Sequence, residues 1–106
     1  MNSSIREQSI ESYKEKYKIL QSVGNISDII ELSTKILEEY PNEYEVMLNL
    51  AKAMFITHEG FGGLGEICIE NNYVEKSIDI CERILEQCKN YSIRYEATSL
   101  LCKAYL

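Results

Sequence analysis

Chain breakers are scarce in this sequence. Its 106 residues hold one proline and five glycines, and four of those glycines fall within 60–65. Long stretches are therefore free to be helical, and a loop-dominated or collagen-like chain is excluded. Histidine is nearly missing, with His58 alone, and tryptophan is absent. One histidine leaves no Ser/His/Asp or Cys/His arrangement to assemble. Cysteine is present four times, at Cys68, Cys81, Cys88 and Cys102, but never as Cys-x-x-Cys. That spacing offers no zinc site, and reduced thiols in a cytoplasmic protein fit it best. Long apolar runs are missing as well. None approaches the ~20 residues that span a bilayer, and the first residues lack the apolar core of a secretory signal. The three Asn-x-Ser sequons, at Asn2, Asn25 and Asn90, then carry no weight. Basic charge is the last shortage. Eleven basic residues stand against 17 acidic ones, for a net charge of −6. The densest local charge, Glu38, Glu39, Glu43 and Glu45, is acidic. Nucleic-acid binding needs a basic face to displace counterions, so direct binding by this segment is not expected.

What is present is an ordinary globular composition, 45% apolar and 26% charged, of a length that suits one domain over 1–106. Within it a helical unit occurs twice. Residues 28–41 read like residues 76–89, with Ile36-Leu37-Glu38 falling over Ile84-Leu85-Glu86. Each copy is followed by a short polar turn and a second striped segment. Such self-similarity marks a helical repeat array, because a single helix pair cannot bury its own apolar face.

The pattern predicts about five helices. The first covers 4–22, opened by a Ser4/Glu7 capping box, striped by Ile10, Tyr13, Tyr17 and Leu20, and stopped by Gly24-Asn25. The first repeat unit covers 26–57. Asn25 or Ser27 caps its first helix, Ile29, Leu32, Ile36 and Leu37 stripe it, and Pro41 ends it. Asn42, with Glu45 in the reciprocal position, caps its second helix, striped by Val46 or Met47, Leu50, Ala51, Met54 and Phe55. A glycine-rich loop is expected over 58–71, with Ile67, Cys68 and Ile69 tucking one point of it inward. The second repeat unit covers 72–106. Asn72 and Glu75 form its capping box, and Val74, Ile78, Cys81, Ile84, Leu85 and Cys88 stripe its first helix. After a turn at 89–91, Tyr95, Ala97 or Thr98, Leu101 and Ala104 face inward. An apolar stripe runs up to Leu106, as at an interrupted array or a docking surface. Tyr13, Tyr17, Tyr73 and Tyr95 are read as packing residues with hydroxyls at the rim.

The second helix pair resembles a tetratricopeptide repeat. Tyr73 and Ser77 match its first small-residue site, and Cys81 its second. Ile36 to Pro41 looks like a helix end with the closing proline. Met47, Leu50, Ala51 and Met54 fall at the large-Leu-small-large positions of the next leading helix. The second copy departs from this, with Lys89 in place of proline and Thr98-Ser99 in place of Leu50-Ala51. The runs 36–51, 80–88, Ile93 to Ala97 and Leu100 to Cys102 are also similar to the C-terminal repeat region of clostridial transcriptional regulators of the XRE family. That resemblance implies the effector or dimerisation half of a regulator whose helix-turn-helix is not in this chain. It implies a protein or peptide partner, or self-association, with no cofactor. A stand-alone helical-repeat adaptor without any link to DNA is the alternative.

In the repeat family the leading helices line a concave surface. Here that surface would present Asn49, Lys52 and Ile56 from the third helix, and Glu96, Leu100 and Lys103 from the fifth. Lys52, Lys103 and Asn49 could receive a peptide carboxylate. Other patterns point to less. Gly60 to Gly65 has the G-x-G-x-x-G spacing, but a helix and not a strand precedes it, so a flexible link fits better than a pyrophosphate cradle. Glu38 and Glu39 are adjacent on a helix and point apart. The chain reads as a binding module and not as an enzyme.

Overall fold

A computed structural model describes residues 2–58 and 65–105, with side chains for 5–57 and 68–105. Six helices and no strand are found among the described residues: α1 (Asn2–Ser22), α2 (Ile26–Glu39), α3 (Tyr44–His58), α4 (Gly65–Asn71), α5 (Tyr73–Gln87) and α6 (Tyr91–Tyr105). The all-α expectation holds, with one helix more than predicted. The second half of the expected 58–71 loop is α4, which packs on α3 and α5. Cys68 turns inward from it, whereas Ile69, expected to tuck in as well, is 82% exposed. The side chain of Ile67 and the glycine spacing before Gly65 lie outside what the structure describes.

Local chemistry sets most boundaries. Gly24, at φ +73°, takes the left-handed conformation that closes α1. Its N–H donates to the Gln21 carbonyl and that of Asn25 to the Leu20 carbonyl, the paired hydrogen bonds of a Schellman ending. Of the two caps considered for α2, Asn25 is the one used, accepting from the Asp28 N–H at 3.2 Å. Asn90 caps α6 in the same way, accepting from Ile93 N–H at 3.1 Å.

Three expected caps fail. Helix α1 begins at Asn2, so Ser4 lies inside it and does not open it. Helix α3 begins at Tyr44 with the Met47 N–H bonded to the Glu43 carbonyl, so Glu43 and not Asn42 holds the cap position. Asn72 sits in the left-handed region at φ 56° because it must turn the chain directly from α4 into α5. Its side chain therefore caps no backbone amide and instead donates to the Glu75 carboxylate at 2.8 Å.

The helices of the two similar segments end alike. The Tyr40 N–H donates to Ile36 and the Cys88 N–H to Ile84, both at 2.8 Å, so α2 and α5 end at equivalent positions of the two copies. Ile29 and Ser33 on α2, and their counterparts Ser77 and Cys81 on α5, are all buried. Small side chains there let neighbouring helices approach closely.

Helix α3 lies between the two copies. It touches α2, α4, α5 and α6, and it buries residues all round, including Val46, Met47, Leu50, Ala51, Met54 and Thr57. A helix apolar on every side must be enclosed. Both residues considered for its first inward position, Val46 and Met47, are buried. Helix α6 is the opposite case and buries only Ala97 and Leu100. Tyr95, expected inward, is 69% exposed, because two residues, about 200° of helical turn, separate it from Ala97. Arg94 anchors α6 instead, donating to the carbonyls of Leu85 and Cys88 at the end of α5.

Side-chain pairs give the helix directions. Arg6 pairs with Glu43, Tyr13 with Asn49, and Lys52 with Glu96. The first two pairs rise together along both helices, so α1 and α3 run parallel. The Tyr13 hydroxyl, expected at the rim, is enclosed, the residue being 2% exposed. It shares a 2.8 Å hydrogen bond with Ser33 Oγ and accepts from Asn49 Nδ2 at 3.3 Å. One oxygen thus ties α1, α2 and α3 together. Burial pushes the Tyr13 phenol above its ordinary value, and the two hydrogen bonds pull it partly back.

Removing that oxygen leaves buried Ser33 and half-buried Asn49 short of a partner. Tyr13→Phe should cost about 1–3 kcal/mol in urea denaturation. Ser33→Ala added to it should cost less than Ser33→Ala alone; full additivity would show that the bond is not made. Burial also pushes the Cys81 thiol up from 9.0 to about 11, with Glu82 adding a smaller push. A raised acid favours the protonated fold, so this stability is present below pH 9 and is lost as pH climbs towards about 11. The expected slope is about 1.4 kcal/mol per pH unit for this one group. Urea titrations across that range check it, and Cys81→Ala should flatten the profile.

Candidate functional site: the groove between α3 and α6

Helices α3 and α6 meet along a shallow groove of about 400 Å3. Lys52, Phe55 and Ile56 line it from α3, and Glu96, Ser99, Leu100 and Lys103 from α6. On each helix these positions recur at three- and four-residue steps, which places them on one face. Phe55 and Leu100 are buried and form an apolar floor, and Ile56 is half-buried beside them. The charged groups stand at the rim.

Four of the five residues singled out from sequence, Lys52, Ile56, Leu100 and Lys103, therefore come together. Asn49 does not join them. It is half-buried and donates to Tyr13, so its amide is committed to the packing of α1 against α3. Sequence reasoning placed Glu96 on this face but not its role. Its carboxylate accepts from Lys52 Nζ at 2.5 Å, a bridge across the groove. Phe55 and Ser99 were not singled out as site residues. The i, i+3, i+4 spacing from Lys52 and Glu96 was the signal that would have found them. Lys103 has no acidic partner among the described residues. The groove thus offers an apolar floor, a neutralised Lys52–Glu96 pair and one further cation. That arrangement suits an apolar segment with an anionic group.

Cavities of similar volume, about 390 Å3 each, adjoin between α1 and α2 and share Lys16 and Leu32. The first has an exposed wall at Ile19, and its Lys35 is already matched by Glu31 at 3.6 Å. Elsewhere, Glu38 and Glu39 lie side by side on α2 with no metal-binding neighbours, and α3 ends at His58, whose side chain is outside the described residues. No group of His, Cys, Asp or Glu among the described residues is placed to hold a metal ion. No helix among them is long and apolar enough to cross a membrane. Compared with known proteins, the chain matches no family model, no curated protein and no solved structure.

The Lys52 and Glu96 side chains are 38% and 47% exposed, so water screens their attraction. Lys52→Met and Glu96→Gln should each change unfolding free energy by no more than about 1 kcal/mol. A loss well beyond that in chemical denaturation would make the bridge a structural tie and not a displaceable rim.

Proposed function

We propose that this chain is a tetratricopeptide-like array that recognises a protein or peptide segment in the groove between α3 and α6. The observation that carries the reading is the joint placement of Lys52, Ile56, Leu100 and Lys103 along one apolar-floored groove. An extended or amphipathic segment would lay an apolar side chain over Phe55 and Leu100 and set a carboxylate near Lys103. Glu96 selects for anions indirectly, because an incoming carboxylate that displaces it takes over Lys52 as a second partner.

On the resemblance of residues 36–51 and 80–102, we further propose that the module serves a bacterial transcriptional regulator of the XRE type. A helix-turn-helix outside this chain would read the operator, and the bound segment would shift the stacking of helices that positions it. With a net charge of −6, the segment itself contributes no DNA contact. No enzymatic step belongs to this reading.

Selection from a random peptide library with free C-termini tests the groove. Binders should weaken roughly 10- to 100-fold on Lys103→Glu, the scale of one charged hydrogen bond, while Glu96→Gln should tighten them. Selected peptides indifferent to both substitutions would sink the groove assignment. The regulator reading stands on a separate measurement, the mass of the native protein immunoprecipitated from its source cells. A species heavier than 12.3 kDa that carries a helix-turn-helix is expected. A species of 12.3 kDa would leave a stand-alone adaptor.

A further inference from the structure

Helix α6 carries a second face, directed away from the groove, that no described element covers. Tyr91, Tyr95, Thr98, Cys102 and Tyr105 recur along it at steps of four, three, four and three. All five are exposed, the three tyrosines by 85%, 69% and 70%. The internal repeat says what kind of position this is. Under the shift that lays Ile84 over Ile36, Tyr95, Thr98, Cys102 and Tyr105 fall on Met47, Leu50, Met54 and Thr57. On α3 those four are 2%, 6%, 6% and 1% exposed. The stripe on α6 is therefore the counterpart of one that the fold keeps covered.

We propose that a second copy of this chain covers it, α6 against α6 in antiparallel orientation. The alternating four-three spacing is the seam of a two-helix coiled coil, and it keeps the same alternation when read backwards through Thr98. The seam carries no charge, in a chain whose net charge is −6, so like charges are not brought together there. The charges of α6 lie off it: Arg94 holds the α5 carbonyls and Glu96 holds Lys52. At about 150–250 Å2 per aromatic side chain, the exposed parts of the three tyrosines offer roughly 350–550 Å2 per copy. Two copies, with Thr98 and Cys102 added, reach the lower end of specific interfaces at about 1,200 Å2 in total. Interfaces at that low end are typical of weak, transient pairs. It leaves the α3/α6 groove open and does not depend on what that groove holds.

Sedimentation velocity over a range of about 1–200 μM tests this, the range following from the interface size. The weight-average mass should rise from 12.3 kDa towards twice that value. Tyr95→Lys should hold the chain monomeric throughout with its helical circular dichroism unchanged. Ile19→Lys, at the exposed α1 edge, should dimerise as the parent does. Labelling of Cys102 should slow as the parent dimerises. In the antiparallel pair the two Cys102 residues sit about 12 Å apart along the axis, beyond the ~7 Å reach of a disulfide. Mild oxidation should therefore leave the parent unlinked and link a Thr98→Cys/Cys102→Ser variant. A parent that stays monomeric, a dimer that survives Tyr95→Lys or fails with Ile19→Lys, or a parent cross-linked through Cys102 would each overturn the proposal.

Discussion

The enclosure of α3 is the constraint on which the rest of this molecule depends. A helix with Val46, Met47, Leu50, Ala51, Met54 and Phe55 spread around it has little surface to give to water. It requires neighbours on several sides at once, and α2, α4, α5 and α6 are those neighbours. Small inward residues, Ser33 on α2, Ser77 and Cys81 on α5 and Ala97 on α6, take little room between these helices. Apolar burial is non-directional and would tolerate sliding of one helix along another. Directional contacts remove that freedom. The Tyr13 hydroxyl fixes α1 against α2 and α3, and Arg94 fixes α6 against the end of α5.

Enclosing α3 also creates the groove. Its residues are shared among neighbours, and α6 covers only part of the face that Lys52, Phe55 and Ile56 present. The remainder is a trough whose floor is apolar because it belongs to the core and whose rim is charged because it meets water. The bridge between Lys52 and Glu96 crosses the trough without sealing it.

Much of this was legible in the chain because its signals are local. The repeat of Ile36-Leu37-Glu38 at Ile84-Leu85-Glu86, the Gly24 stop, the Asn25 cap and the stripes of α2 and α5 each depend on residues within one or two turns. The failures share a cause of the opposite kind. Helix α4 has four glycines at or just before its start and seven residues of its own, too few to show a period; packing on α3 and α5 supports it. Asn72 carries the residues of a capping box, but the short passage from α4 into α5 demands a left-handed backbone there. Tyr13 and Asn49 look like surface-ready polar groups until three helices converge on them. Tyr95 sits within a largely apolar helix, and only the position of α5 decides which side is inside. For the groove, the resemblance to the repeat family pointed to four of its residues; the role of Glu96 needed the distance between two helices 44 residues apart in sequence.

That distance has a meaning of its own. Pairs that join α1 to the first half of α3 are 31 to 37 residues apart, and the pair that joins α3 to α6 is 44 apart. The second interval includes α4, which has seven residues and leans on α3 and α5. That extra helix lines no part of the α3/α6 groove. A change of length at the junction between α3 and α5 therefore leaves the groove residues untouched. Such a chain can vary in length over generations, or be lengthened by an engineer, with its groove intact.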